Sequence, residues 1–203
     1  ALAAMVTLDY DGRLRAVVGG LDEKEGSRVF NRGTDAVRQV GSTMKPIGAY
    51  ALALAQDDIH WSTLFLDDYV RMEEDEKTGE VKPWPANVTQ VYTQKEITVA
   101  DALAESVNTV AVRVGEVAGI RNIYNFVTQQ LGITTFVPQD VDAGPMVLGS
   151  STYGVTPYEL AAAYMMFGSG GIYTTPHCYE SVQTGYGKIL LEPQVESRRV
   201  LDE

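Results

Sequence analysis

Gly41-Ser42-Thr43-Met44-Lys45-Pro46 puts a serine hydroxyl and a lysine amine three residues apart. From Ser42 onward the pattern is helical, with Ile47, Tyr50, Ala51 and Leu54 at helical spacing. Pro46 fits a helix only in its first turn, where its missing N–H has no partner to lose. Ser42 therefore belongs at a helix N-terminus, on one face with Lys45. A serine is a weak nucleophile until a nearby base takes its proton. A lysine can be that base when burial leaves its amine neutral. At a helix N-terminus the backbone N–H groups and the dipole favour a developing negative charge. A serine cap followed by a solvated lysine uses the same geometry, so this stretch needs company to carry chemistry.

Working outward, residues 4–19 read as a hairpin turning at Asp11-Gly12. Residues 21–41 are polar and irregular, with a turn at Asn31-Arg32-Gly33. Residues 56–96 read as a long connector, extended around Lys82-Pro83-Trp84-Pro85-Ala86-Asn87. Acidic residues gather in it at Asp67-Asp68 and Glu73-Glu74-Asp75-Glu76, which read as solvated loop. A helical lobe is expected over 97–171. Its first segment, Val99 to Val117, has Val99, Leu103, Val107, Val110 and Val114 on one stripe. A second runs over 120–131 and stops at Gly132. A third opens at Thr156-Pro157-Tyr158-Glu159 with a capping box. A second hairpin is expected over 178–191.

The 203 residues carry a net charge of −11, which argues against a nucleic-acid surface. The single cysteine, Cys178, allows no intrachain disulfide, and the two histidines, His60 and His177, offer no metal-ligand spacing. No metal or organic cofactor is implied. No apolar run is long enough for a membrane span, and no signal peptide opens the chain, which reads as starting inside a longer protein.

Ser106 and Asn108 are the polar interruptions of the 99–117 segment. Two residues apart, they would diverge on a regular helix. They face one cleft only if the backbone turns there. Ser106 could then relay a proton and the Asn108 amide hold a substrate amide; a polar helix face with a tolerated serine is the other reading.

Together, Ser42-x-x-Lys45 and Ser106-x-Asn108 resemble the first two motifs of the penicillin-binding protein and serine β-lactamase superfamily. Arg38 to Ile47, Ala102 to Thr109, Leu148-Gly149-Ser150 with Val155 to Tyr164, and Gly170-Gly171 resemble segments of class A penicillin-binding proteins. Phe30-Asn31-Arg32 and Arg198-Arg199-Val200-Leu201 fit as well. The resemblance implies an α+β transpeptidase fold, a helical lobe plus an antiparallel sheet, incomplete in this chain, with residues 1–203 as its N-terminal and central part.

It further implies a peptidoglycan D,D-transpeptidase acting through a serine acyl-enzyme and trapped by β-lactams. Ser42 would be the nucleophile and Lys45 its base. Ser106 would pass the proton to the leaving amine, Asn108 would bind the substrate backbone, and the Ser42 N–H would supply half the oxyanion hole. The partners implied are stem peptides ending in D-Ala-D-Ala, β-lactams, the rest of the domain after residue 203 and a glycosyltransferase domain. The implied location is the extracytoplasmic face of the bacterial membrane, with the anchor outside this chain. A D,D-carboxypeptidase, a β-lactamase and a non-catalytic sensor or scaffold remain alternatives.

The family's third motif is Lys-Thr-Gly or Lys-Ser-Gly on an edge strand. Lys77-Thr78-Gly79 matches in letters but precedes the second motif and sits among Glu73, Glu74, Asp75, Glu76 and Glu80. Those carboxylates would repel a substrate carboxylate, so the triplet reads as a surface turn. The true third motif is expected beyond Glu203, and the isolated fragment is expected not to acylate rapidly.

Overall fold

The computed structural model describes residues 3–21, 23, 26–75 and 78–202. In chain order the elements are β1 (Met5–Leu8), β2 (Leu14–Val18), α1 (Ala51–Ala55), β3 (Leu64–Leu66), β4 (Arg71–Glu74), β5 (Val81–Trp84) and β6 (Glu96–Thr98). There follow α2 (Val99–Ala104), α3 (Asn108–Ala118), α4 (Ile120–Asn125), α5 (Ala143–Leu148), α6 (Pro157–Gly168), β7 (Ile172–Thr174), β8 (Val182–Gln183), β9 (Ile189–Leu191) and β10 (Ser197–Arg199). Among the described residues the strands pair in twos, all antiparallel: β1 with β2, β3 with β6, β4 with β5, β7 with β10 and β8 with β9. Helices with antiparallel strands make an α+β fold.

The chain divides into two compact units. One comprises Gln39–Phe126 and Val137–Thr152; the other comprises Ala1–Arg38, Val127–Phe136 and Tyr153–Glu203.

In the first unit α3 is the central helix. Thr109, Val110, Ala111, Val112, Val114, Gly115 and Ala118 are all buried, so it is covered nearly all round, as its valine-rich sequence requires. It packs on α5, on α1 and on the π-turn Pro46–Tyr50 that follows Lys45. Met44, Ile47, Ala49, Tyr50, Met146 and Val147 complete this core. A Cβ at Gly48 would run into the Met146 carbonyl oxygen, so the absence of a side chain there lets α5 approach.

The expected single helix over 99–117 is two helices, α2 and α3, broken at Ser106. The connector over 56–96 is not merely extended: it supplies β3, β4 and β5. The reading of Asp67 as a solvated loop residue is also overturned. Asp67 is 3% exposed, because four donors converge on its carboxylate.

In the second unit α6 packs on β1 and β7. It starts with the capping box expected from sequence. The Glu159 N–H donates to Thr156 Oγ1 at 3.1 Å, and the Thr156 N–H donates to Glu159 Oε2 at 3.2 Å. Glu159 Oε1 accepts from the Thr134 N–H and hydroxyl at 2.9 and 2.7 Å, so the cap also anchors a neighbouring segment. Arg198 lies 4.7 Å over the Tyr173 ring and donates to the Gln130 carbonyl at 2.8 Å.

Candidate active site

Ser42 sits in a single 3-10 turn, Gly41–Thr43, and is exposed. The chain then turns inward, and Lys45 is only 1% exposed. The segment that carries Ser42 is held by the residues that follow α5. The Gly41 N–H donates to the Gly149 carbonyl at 3.4 Å, and the Gln39 side-chain amide donates to the Ser151 carbonyl. Gly149 ends α5 in the left-handed region at φ 72°, and a Cβ there would meet the Gly41 carbonyl oxygen. Only glycine satisfies both demands.

Ser106 reaches the same place from α2. The Ser106 N–H donates to the Leu103 carbonyl at 3.1 Å, and the Val107 N–H to the Ala102 carbonyl at 2.9 Å. This bond pair is the left-handed helix stop that ordinarily holds glycine at the Ser106 position. Ser106 holds it at φ 56°, a conformation that costs a non-glycine residue about 1 kcal/mol. The turn presents Ser106 to Lys45, 61 residues earlier. Lys45 Nζ donates to the Ser106 carbonyl at 2.6 Å and to its Oγ at 2.9 Å.

Burial lowers the Lys45 pKa from 10.5 to about 8. About a tenth of the amines are then neutral at pH 7, with a lone pair able to take a hydroxyl proton. Asn108 opens α3 with its side chain tied down: Nδ2 donates to the Ala86 carbonyl at 2.6 Å.

The structure brings Lys45 and Ser106 into contact and sets Asn108 two residues beyond, on the next helix. Thr78 and Gly79 form the turn between β4 and β5, where both N–H groups donate to the Asp75 carbonyl at 3.2 and 2.7 Å. Lys77 and Glu76 lie outside the described residues. Asp67, Asn87, Thr93 and Thr109 escaped the sequence reading, although they form the polar cluster under Asn108. The available signal was Leu64-Phe65-Leu66 leading straight into Asp67, an apolar run carrying a carboxylate inward.

Among the described residues no cluster of His, Cys, Asp or Glu could hold a metal ion, and no helix is long and apolar enough to cross a membrane. An exposed serine three residues before a buried lysine is an arrangement that serine acyl-transfer chemistry could use.

The family model for the penicillin binding protein transpeptidase domain matches residues 3–203. The chain belongs to that family. Its relatives include penicillin-binding protein 1A of Clostridium botulinum strain Langeland, 29% identical over 203 residues, covering 98% of this chain and 24% of the relative. Penicillin-binding protein 1A of Haemophilus influenzae is 32% identical over 191 residues, covering 94% of this chain and 21% of the relative. The crystal structure of the Haemophilus influenzae protein superposes with a TM-score of 0.75 at 29% identity, covering 97% of this chain and 28% of that one. The chain thus spans about a quarter of the length of these relatives.

Proposed function

We propose that this chain carries the nucleophile side of a peptidoglycan D,D-transpeptidase that β-lactams inactivate. Ser42 Oγ attacks the carbonyl between the two terminal D-alanines of a stem peptide while Lys45 Nζ takes its proton. The new O–C bond forms as the C–N bond breaks. Ser106 hands a proton to the departing amine of the last D-alanine. The Asn108 amide holds the donor peptide, and the acyl-enzyme is then attacked by an amine of a neighbouring stem peptide, which releases Ser42. A β-lactam follows the first half of this path and stays attached as an ester.

The observation that carries this reading is the Lys45 amine: buried, depressed to about 8 and bonded to Ser106 Oγ at 2.9 Å. A lysine serving only as a surface charge gains nothing from such burial. The similarity to penicillin-binding proteins 1A, which are about four times longer, supports a membrane-anchored protein with a glycosyltransferase domain, working on the extracytoplasmic face.

The test is covalent labelling of the full-length protein that contains this chain with a fluorescent penicillin. The expected adduct is on Ser42 by peptide mass spectrometry. It is absent in Ser42→Ala, and Lys45→Ala slows its formation about a thousandfold. Labelling that persists in Ser42→Ala would refute the proposal.

A further inference from the structure

Helix α3 begins at Asn108 after Val107, which has no side-chain cap to offer. Its first N–H groups are instead taken by a residue 21 positions upstream. Asn87 Oδ1 accepts from the Asn108 N–H at 3.0 Å and from the Thr109 N–H at 3.4 Å. Asn87 Nδ2 donates to Asp67 Oδ1 at 2.7 Å and to the Val91 carbonyl at 3.0 Å. Backbone N–H groups only donate, and carbonyls and carboxylates only accept, so the Asn87 amide has one possible orientation. Asn87 is 6% exposed.

Asp67 anchors this arrangement. Besides Asn87 it accepts from Thr109 Oγ1 at 2.7 Å and from the Thr93 N–H and hydroxyl at 3.0 and 2.8 Å. The residue beside Asn87 acts on the site directly. The Ala86 carbonyl takes one hydrogen of Asn108 Nδ2 at 2.6 Å, leaving the second hydrogen and Oδ1 of that amide for a ligand.

We infer that Asn87 is a positioning residue for acylation, clamping the turn that carries Ser106 and Asn108 onto buried Asp67. The inference rests on the reading of Ser42 and Lys45 as the acylation pair. Without the clamp, the N-terminus of α3 loses its acceptor and Ala86 loses its neighbouring anchor. The Asn108 amide and the Ser106 hydroxyl then sample several placements against Lys45. Misplacement by about 1 Å is enough to cost about a hundredfold in rate.

The experiment uses the full-length protein that contains this chain and a fluorescent penicillin. Rate and affinity of acylation are measured separately for the unaltered protein, Asn87→Ala, Asn108→Ala and the double variant. Asn87→Ala is expected to slow the acylation step about thirtyfold. In the Asn108→Ala background the same change should cost several-fold less, because part of what it positions is already gone. If the two losses multiply in full, Asn87 acts through the fold alone and the inference is wrong. Acylation at the unaltered rate in Asn87→Ala also overturns it.

Where Asn87→Ala fails to fold, Thr109→Val substitutes for it: the volume stays and only the hydroxyl bond to Asp67 is lost. That variant is expected to acylate about threefold more slowly, and an unchanged rate counts against the inference. Failure of the unaltered protein to label Ser42 is a different result. It removes the acylation reading itself, and the role of Asn87 with it.

Discussion

Lys45 shows how a single side chain acquires its chemistry from its surroundings. Its four-carbon stem would be equally content on a surface, with the charge in water. Here the amine is inside, held by one carbonyl and one hydroxyl of the same residue, Ser106. Neither partner is charged, so no opposite charge offsets the cost of burying an ammonium ion, and burial lowers the pKa to about 8. Below that value the neutral fraction, and so the supply of base, rises about tenfold per pH unit. Acylation of Ser42 by a penicillin is therefore expected to climb steeply from pH 6 to about 8 and then level. A rate constant that is flat over this range would exclude Lys45 as the base.

At the level of elements, the break between α2 and α3 decides the site. An unbroken helix would point Ser106 and Asn108 in different directions. The left-handed stop at Ser106 reverses the chain, so the serine faces Lys45 while Asn108 starts a new helix. Glycine is the residue such a stop favours, and serine there carries strain. Ser106→Gly should relieve it. The expected outcome is stability raised by up to about 1 kcal/mol in chemical denaturation, together with acylation slowed about a hundredfold through loss of the hydroxyl. A variant with lower stability would show that losing the Ser106 Oγ acceptor for buried Lys45 outweighs the relieved strain.

Over the whole chain, acidic residues outnumber basic ones 27 to 16. Asp67 is one of those that the fold buries. Burial pushes its pKa up, but the donors Thr109, Thr93 and Asn87 outweigh that and hold it below the ordinary 3.8. A carboxylate depressed in the folded state contributes its full stability above its unfolded value, near 3.8, and loses it as the pH falls through the lower folded value. Thermal unfolding followed from pH 7 down to pH 2 should show the midpoint dropping below about pH 4. Asp67→Asn is expected to be less stable at pH 7 by about 1–3 kcal/mol, from the disrupted bonds, and to lose less than the parent between pH 4 and 2. Parallel acid profiles for the two proteins would count against this account of Asp67.

What could be read from sequence was local. Ser42 and Lys45 are three residues apart, so one turn of helix relates them whatever the rest of the chain does. The capping box of Thr156 and Glu159 and the turn at Asp11-Gly12 are complete within a few residues, and the family segments lie in order along the chain. What could not be read was distant. The valine stripe runs through Ser106 as if the helix were unbroken, and the partners that meet the turn, Lys45 and Asn87, lie 61 and 21 residues upstream of their contacts. Asp67 looks like a loop acid until Asn87, Thr93 and Thr109, between 20 and 42 residues away, meet it. The sequence by itself determined the candidate site residues, their local spacing and the family. Only the tertiary structure decided which donors and acceptors are buried together, since burial is what lowers the Lys45 pKa and requires Asp67 to be fully bonded.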